Sequence, residues 1–398
     1  YNVFGDIMEN IKENEEKLKK YLKEREKLNI DIVELIRAIA INNGVKIKKT
    51  KDIETLLNVI PRKKHTLFIL LDGFGYYKLK ELSDESILKK NLKMKIRTVN
   101  PTSTACVLTS IFSASYPNSH GIYGWWDYNV DFDLNYIPLL LKDRKTGEDV
   151  SSKIKEIFKF TPVLDKFNAK VNIFEDRQIV NSEYSKMISK KANRYGFYSI
   201  KDAFNSIEKR INESTQSTFN YLYIDSLDIM SHIYGIESNE VNNIITVVEN
   251  GIKKLSNEFK DLNIILTADH GQVEMKEALY LNRNIDFSKY FYAMPSIDTR
   301  AISFFVKKEY LVEFKEKFLQ EFRDDVILLE KEKVEEYHLF GKEKYTEHAY
   351  KSLGEYVAII VNDKFMMCNK DDYEDKKTTK GNHSGLTDCE TTIPLVII

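Results

Sequence analysis

Five short apolar runs set the strongest constraint on what this chain can fold into. They are HTLFILLDG (65–73), KVNIFE (170–175), TFNYLYID (218–225), NIILTAD (263–269) and TTIPLVII (391–398). Each reads as a strand buried on both faces, the form strands take in parallel sheets. Helical periodicity lies between them, at 201–213 and 238–259. Strands alternating with helices imply an α/β fold, a mostly parallel sheet sandwiched by helices. Two of the runs close on Asp72 and Asp269, and the C-terminal ends of such strands are where α/β sheets bind their ligands.

At 398 residues the chain has room for two or three domains, or for one large domain with an insert. Residues 6–43 read as helix. Ile11, Leu18, Tyr21, Leu22, Leu28, Ile32, Leu35 and Ile36 recur at three- and four-residue spacings among dense Glu and Lys. We read 1–62 as a helical arm packed on the catalytic domain, with a partner-binding coiled coil as the alternative. The catalytic domain is expected over 63–298 and 363–398. Between its halves, 299–362 reads as strand, helix, strand, strand, a small α+β cap inserted over one edge of the site. The stretch 125–165 reads as irregular. It opens on Trp125 and Trp126, which are either packing anchors or the lining of a pocket mouth.

Composition narrows the partners. Net charge is −1, which gives no general attraction to a nucleic-acid duplex or an anionic membrane. No apolar run approaches the roughly 20 residues that span a bilayer. The first residues show no basic stretch followed by an apolar one, so no signal peptide is read there. Cys106, Cys368 and Cys389 are unpatterned, which favours a reducing compartment. The expected location is therefore cytoplasmic.

Metal-binding residue types gather in four segments. LLDGFG (70–75) carries Asp72, and LDIMSH (227–232) carries Asp228 and His232. LTADHGQ (266–272) carries Asp269 and His270, and GNHSGLTD (381–388) carries His383. A carboxylate buried alone is costly, and a bound cation removes that cost. Adjacent Asp and His favour zinc or a similar ion. Asp228 and His232 stand four apart and would share a helix face, with Asp225 as the rival carboxylate. Together the six suit two metals with an open position for substrate. Thr102, Ser103 and Thr104 precede ACVLTSIFSA, which looks like a buried helix. A hydroxyl at a helix N-terminus sits where anions are favoured, and one of the three can serve as the helix cap.

The motifs and their order resemble the alkaline phosphatase superfamily, and within it the type I phosphodiesterase/nucleotide pyrophosphatase family. Pro101-Thr102-Ser103-Thr104 matches its P-T-x-T segment, and Tyr116-Pro117-Asn118-Ser119-His120-Gly121-Ile122 matches its Y-P-x-S-H-G-I. Asp228, His232 and Gly235 match D-x-x-x-H-x-x-G, and Asp269-His270-Gly271 matches D-H-G. His383 to Glu390 match H-x-G-L-T-x-x-E. The resemblance covers 65–398 and leaves out the N-terminal arm. It implies a hydrolase of small-molecule phosphate esters or nucleotide-like substrates, with Thr104 as nucleophile. It implies one zinc (or manganese) held by Asp72, Asp269, His270 and the Thr104 oxygen, and a second held by Asp228, His232 and His383.

Two positions depart from the nucleotide-hydrolysing members, which carry an aromatic residue directly after the nucleophile and an asparagine three residues after it. Ala105 and Val107 stand there. Phosphate ester hydrolysis survives this, but a preference for nucleotides does not follow. The alternatives are a phosphomonoesterase or phosphonate hydrolase of the same superfamily, or a metal-binding pseudoenzyme acting as an interaction module. The complete ligand set opposes the last.

Overall fold

The computed structural model describes residues 16, 18–20, 22–23, 28–368 and 379–398. Among the described residues seven strands form the central sheet: β1 (His65–Leu71), β2 (Leu92–Arg97), β3 (Lys170–Asp176), β4 (Asn193–Phe197), β5 (Thr218–Ile224), β6 (Leu262–Thr267) and, last in the chain, β11 (Thr392–Ile397). Their order is β2-β11-β6-β1-β5-β3-β4. β1 lies between β5 and β6, parallel to both, and β3 and β4 continue the parallel half. All five apolar runs are strands of this sheet. The last departs from the parallel expectation, because β11 runs antiparallel to β6 and β2. Burial on both faces suits either direction, so the apolar pattern carries no directional signal.

The sheet is buried because helices cover it. Among them are α1 (Ile32–Asn42), α2 (Lys51–Val59), α3 (Thr104–Ser113), α4 (Ile200–Asn212), α5 (Ser226–Tyr234) and α6 (Asn239–Glu258). On α6 the residues Val241, Ile245, Val248, Ile252 and Leu255 are buried, the three- and four-residue spacing of a helix packed along one face. α3 is almost wholly buried, from Thr104 to Phe112. A side-chain ladder, buried at Asn172 and Asn220 and open to solvent at Asn193, crosses the parallel half. Asn193 donates to Asn172, Asn172 to Asn220, and Asn220 to the Thr218 hydroxyl and the Thr66 carbonyl. These asparagines face one another across β4, β3 and β5 in register.

Two sequence expectations change here. A single helix over 6–43 is not what the described residues show, and much of that span, including Ile11 and Tyr21, lies outside them. Residues 28–30 are not helical, and Asp31 starts α1 afresh, its carboxylate accepting from the amides of Val33 and Glu34. The periodicity ran through that break because apolar spacing does not register a cap. α1 then packs in the same core as the sheet, through Ile32, Leu35, Ile36 and Ile39. Nor is 125–165 irregular throughout. Asp127–Asn129, Leu134–Ile137 and Lys142–Asp143 form a three-stranded antiparallel sheet. Trp126 exchanges backbone hydrogen bonds with Ile297, and the Arg144 guanidinium lies 4.1 Å from its ring centroid. Trp126 is thus a joint between this small sheet and the cap.

The segment expected to form the cap lies, among the described residues, in a four-stranded antiparallel sheet built from β7 (Ser296–Ile297), β8 (Ala301–Phe304), β9 (Val326–Glu330) and β10 (Tyr356–Ile360), in the order β7-β8-β10-β9, with α7 (Leu311–Phe322) packed on it. Its aromatic core joins Phe304, Phe314 and Phe318. Leu281, Phe287, Tyr290 and Met366 belong to the same core, so it draws on segments on both sides of 299–362. No helix among the described residues is long and apolar enough to cross a membrane.

Candidate metal centre and nucleophile

The parallel strands end together, and their C-terminal ends bring the acidic residues together. Asp72 follows β1 directly, its amide donating to the Ile224 carbonyl at the end of β5. Asp269 and His270 follow β6. Asp228 and His232 share a face of α5, with Asp228 Oδ2 3.1 Å from His232 Nε2. Thr104 is the first residue of α3, and its hydroxyl lies 3.2 Å from His270 Nε2. His383 follows a two-residue strand, Gly381–Asn382, paired with Val273–Glu274 outside the central sheet.

Two groups of ligand atoms emerge. Asp72, Asp269 and His270 form one, with His270 Nε2 3.3 Å from Asp72 Oδ1 and 3.2 Å from Asp269 Oδ2. Asp228, His270 and His383 form the other, with His383 Nε2 3.7 Å from Asp228 Oδ1. The His270 and His383 rings stack at 3.6 Å. His270 therefore faces both groups, and His232 reaches the second through the other oxygen of Asp228. Asp225 belongs to neither, and burial pushes its carboxyl up to about 6.

The donor set fits divalent cations. Asp72 Oδ1 and Asp269 Oδ2 are buried and find no hydrogen-bond partner among the described residues. Burial, then the neighbouring Asp269 and Asp228, push the Asp72 carboxyl well above its usual range. Burial takes Asp269 up to about 6. At Asp228 burial acts the same way, but the His232 imidazolium outweighs it and holds the carboxyl below its usual range. All three imidazoles place Nδ1 on a backbone carbonyl: His232 on Gly381 at 2.7 Å, His270 on Gly271 at 3.1 Å and His383 on Thr102 at 2.8 Å. A carbonyl only accepts, so Nδ1 carries the proton, and Nε2 of His270 and of His383 is left to face the carboxylates, the arrangement of metal-bound histidines. At His232 burial acts downward, but the Asp228 carboxylate outweighs it and raises the imidazole above its usual range. Burial lowers His270 and takes His383 down to about 4, which keeps both neutral near pH 7. Lone pairs of neutral imidazoles facing carboxylate oxygens repel unless a cation lies between them.

Several neighbours carried no signal in the sequence. The Tyr223 hydroxyl donates to Asp72 Oδ2, and the Gln272 amide donates to Asp228 Oδ1. Ser103, at the N-cap position of α3, makes no cap bond and donates instead to Asp298 Oδ2 at 3.2 Å. The Ala105 and Val107 side chains are fully buried and present no ring or amide to a ligand.

A family model for type I phosphodiesterase / nucleotide pyrophosphatase matches residues 66–386. The chain belongs to this family. It is therefore an enzyme of the phosphoric ester hydrolases, on the α/β fold of the alkaline phosphatase superfamily. Murine ectonucleotide pyrophosphatase/phosphodiesterase 5 is similar in structure, with a TM-score of 0.61 at 14% identity, over 83% of this chain and 87% of that one. Phosphonoacetate hydrolase from Sinorhizobium meliloti 1021 is similar to the same degree, with a TM-score of 0.61 at 14% identity, over 85% of this chain and 91% of that one. At that identity both speak for the fold alone. Comparison with curated protein sequences returns no match.

Proposed function

We propose that this member of the family is a zinc-dependent phosphodiesterase or pyrophosphatase in which Thr104 is the nucleophile. One observation carries the reading: the Thr104 hydroxyl opens a buried helix 3.2 Å from His270 Nε2, the nitrogen that also faces Asp72 and Asp269. Asp72, Asp269 and His270, with the Thr104 oxygen, would hold one cation, and Asp228, His232 and His383 the other. When bound, such cations supply Lewis acidity that lowers the pKa of a hydroxyl and offsets charge on a leaving oxygen.

The chain's own residues account for the remaining steps. Thr104 Oγ1 attacks phosphorus, forming a Thr104–O–P bond as the P–O bond to the leaving alcohol breaks. The alcohol departs carrying a proton. The oxygen of a water molecule then displaces Thr104, which regains its proton, and a phosphate monoester leaves. The first-turn amides of α3 lack intrahelical acceptors and favour the anionic phosphoryl oxygens.

The murine relative has also been solved as an inactive variant with AMP, and the Sinorhizobium hydrolase with phosphonoacetate. We accordingly read the substrate as a small phosphate ester. Ala105 and Val107 leave no basis for a preference for nucleotides, which keeps a phosphonate or monoester hydrolase as the second reading. Turnover of aryl phosphodiester, phosphomonoester, phosphonate and sulfate ester, with zinc and after chelation, tests both. Zinc-dependent turnover fastest on the diester supports the first reading. The monoester or phosphonate turning over fastest replaces it with the second, and no turnover of any leaves the pseudoenzyme.

A further inference from the structure

His383 differs from the other candidate ligands in what holds it. Asp72, Asp269 and His270 follow strands of the central sheet, and Asp228, His232 and Thr104 lie on helices packed against that sheet. His383 sits in a loop whose neighbour, Ser384, is a non-glycine residue at φ 89°. Such a conformation persists only where the surroundings over-determine it.

They do so from two sides. On one side is Thr102. Its hydroxyl accepts from the Ser384 amide at 3.0 Å and donates to the Gly385 carbonyl at 2.8 Å, while its own carbonyl accepts from His383 Nδ1. On the other side are three consecutive residues at the entry to the cap. Asp298 accepts from Ser103, the residue before the nucleophile. The Thr299 hydroxyl accepts from the Asn382 amide at 3.0 Å. The Arg300 amide donates to the Ser384 hydroxyl at 3.1 Å. The Arg300 guanidinium, fully buried, donates from Nε to Glu390 Oε1 at 2.7 Å and from Nη2 to Oε2 at 3.0 Å. Glu390 in turn accepts from the amides of Gly385 at 2.8 Å and Thr387 at 3.1 Å, and from the Thr387 hydroxyl at 2.6 Å. A planar fork on a carboxylate fixes orientation as well as distance.

We propose that Thr299 and Arg300 are positioning residues that hold His383, through Asn382, Ser384 and Glu390, in the geometry that completes the Asp228–His383 cation site. The cap, rather than the central sheet, then sets the affinity of that site for its ion. This rests on the two-cation reading above. Asp298, tied to Ser103 by the same run, extends the clasp to the start of α3.

The test is zinc affinity and stoichiometry on the full chain, by competition with a chromophoric chelator. The variants are Thr299→Val, Thr299→Ser and Arg300→Lys. Thr299→Val and Arg300→Lys weaken one of the two ions by roughly 10-fold or more and leave the other unchanged. On the aryl diester they lower kcat with little change in KM, and the cobalt-substituted protein loses one ion's share of its visible absorption. Thr299→Ser, which keeps the hydroxyl, restores both ions. Should Arg300→Lys fail to fold, the valine–serine pair carries the test. Variants that bind two zincs with wild-type affinity, whatever their thermal midpoint, overturn the proposal and leave a structural tie only. A wild-type protein that binds fewer than two zincs or hydrolyses no phosphorus ester overturns the two-cation reading instead.

Discussion

At Thr104 the hydroxyl faces a histidine nitrogen, while at Thr102 and Ser103 the same functional group is taken up by the His383 loop and by Asp298. Thr104→Ala should therefore lower kcat by at least roughly 1,000-fold, as losing a nucleophile does in other hydrolases, with zinc content and circular dichroism retained. Ser103→Ala should cost far less, and Thr102→Ala should act by loosening His383. Near-normal turnover by Thr104→Ala, with Ser103→Ala inactive, would place the nucleophile one residue earlier. Glu175 gives a prediction of another kind. It is buried at the end of β3, one carboxylate oxygen finds no partner among the described residues, and burial pushes its carboxyl up to about 7. The unfolded chain ionises this group near 4.5. The folded state holds the proton longer, so the contribution is whole below pH 4.5 and is lost as pH rises through 7. The loss is at most about 3 kcal/mol. Glu175→Gln should flatten that dependence, so the gap between its urea midpoint and that of the wild type should widen between pH 5 and pH 8. An unchanged gap would sink the assignment.

Among the elements, α1 depends on one side chain. Asp31 caps it twice, accepts from the Tyr116 hydroxyl at 3.0 Å and pairs with Lys342 at 2.8 Å. Asp31→Ala should cost about 2 kcal/mol in urea denaturation, and Asp31→Asn much less because it still caps. Equal losses for the two would show that the cap itself contributes little. Legibility in the sequence divided along similar lines. The five apolar runs were readable as strands because burial on both faces leaves no polar face. The edge strands β2, with sequence LKMKIR, and β4, with NRYGF, were not, since edges tolerate charge and glycine. Asp72, Asp269, His270, Asp228, His232 and His383 stood out because they are ligand types beside strand ends or at helical spacing, and the structure brings them together. Tyr223 looked like one more aromatic in a buried strand. Arg300 and Glu390 stand 90 residues apart, and nothing local marks them as partners.

Over the whole molecule, cation binding and folding should be linked. Three buried carboxylates converge at one end of the sheet, and a cation that binds only the folded state stabilises it by about 2.7 kcal/mol at 100 times its Kd. Chelation should lower the thermal midpoint and zinc restore it, in Thr104→Ala as in the wild type, with elemental analysis giving two ions per chain. A midpoint indifferent to chelator would remove the link. The asparagine ladder, at a distance from all this chemistry, bears on how such a chain can change over generations. Each amide in the series Asn193, Asn172, Asn220 satisfies the next. Replacing Asn172 with leucine strands a buried amide of its neighbour, at about 1–3 kcal/mol, whereas exchanging the set for apolar residues of similar shape is close to neutral. The route between those two sheets passes through unfit intermediates. A lineage that inherits the ladder is held to it by the order in which substitutions arrive, and single-site scanning will score the two buried asparagines, Asn172 and Asn220, as costly to replace though catalysis never calls on them.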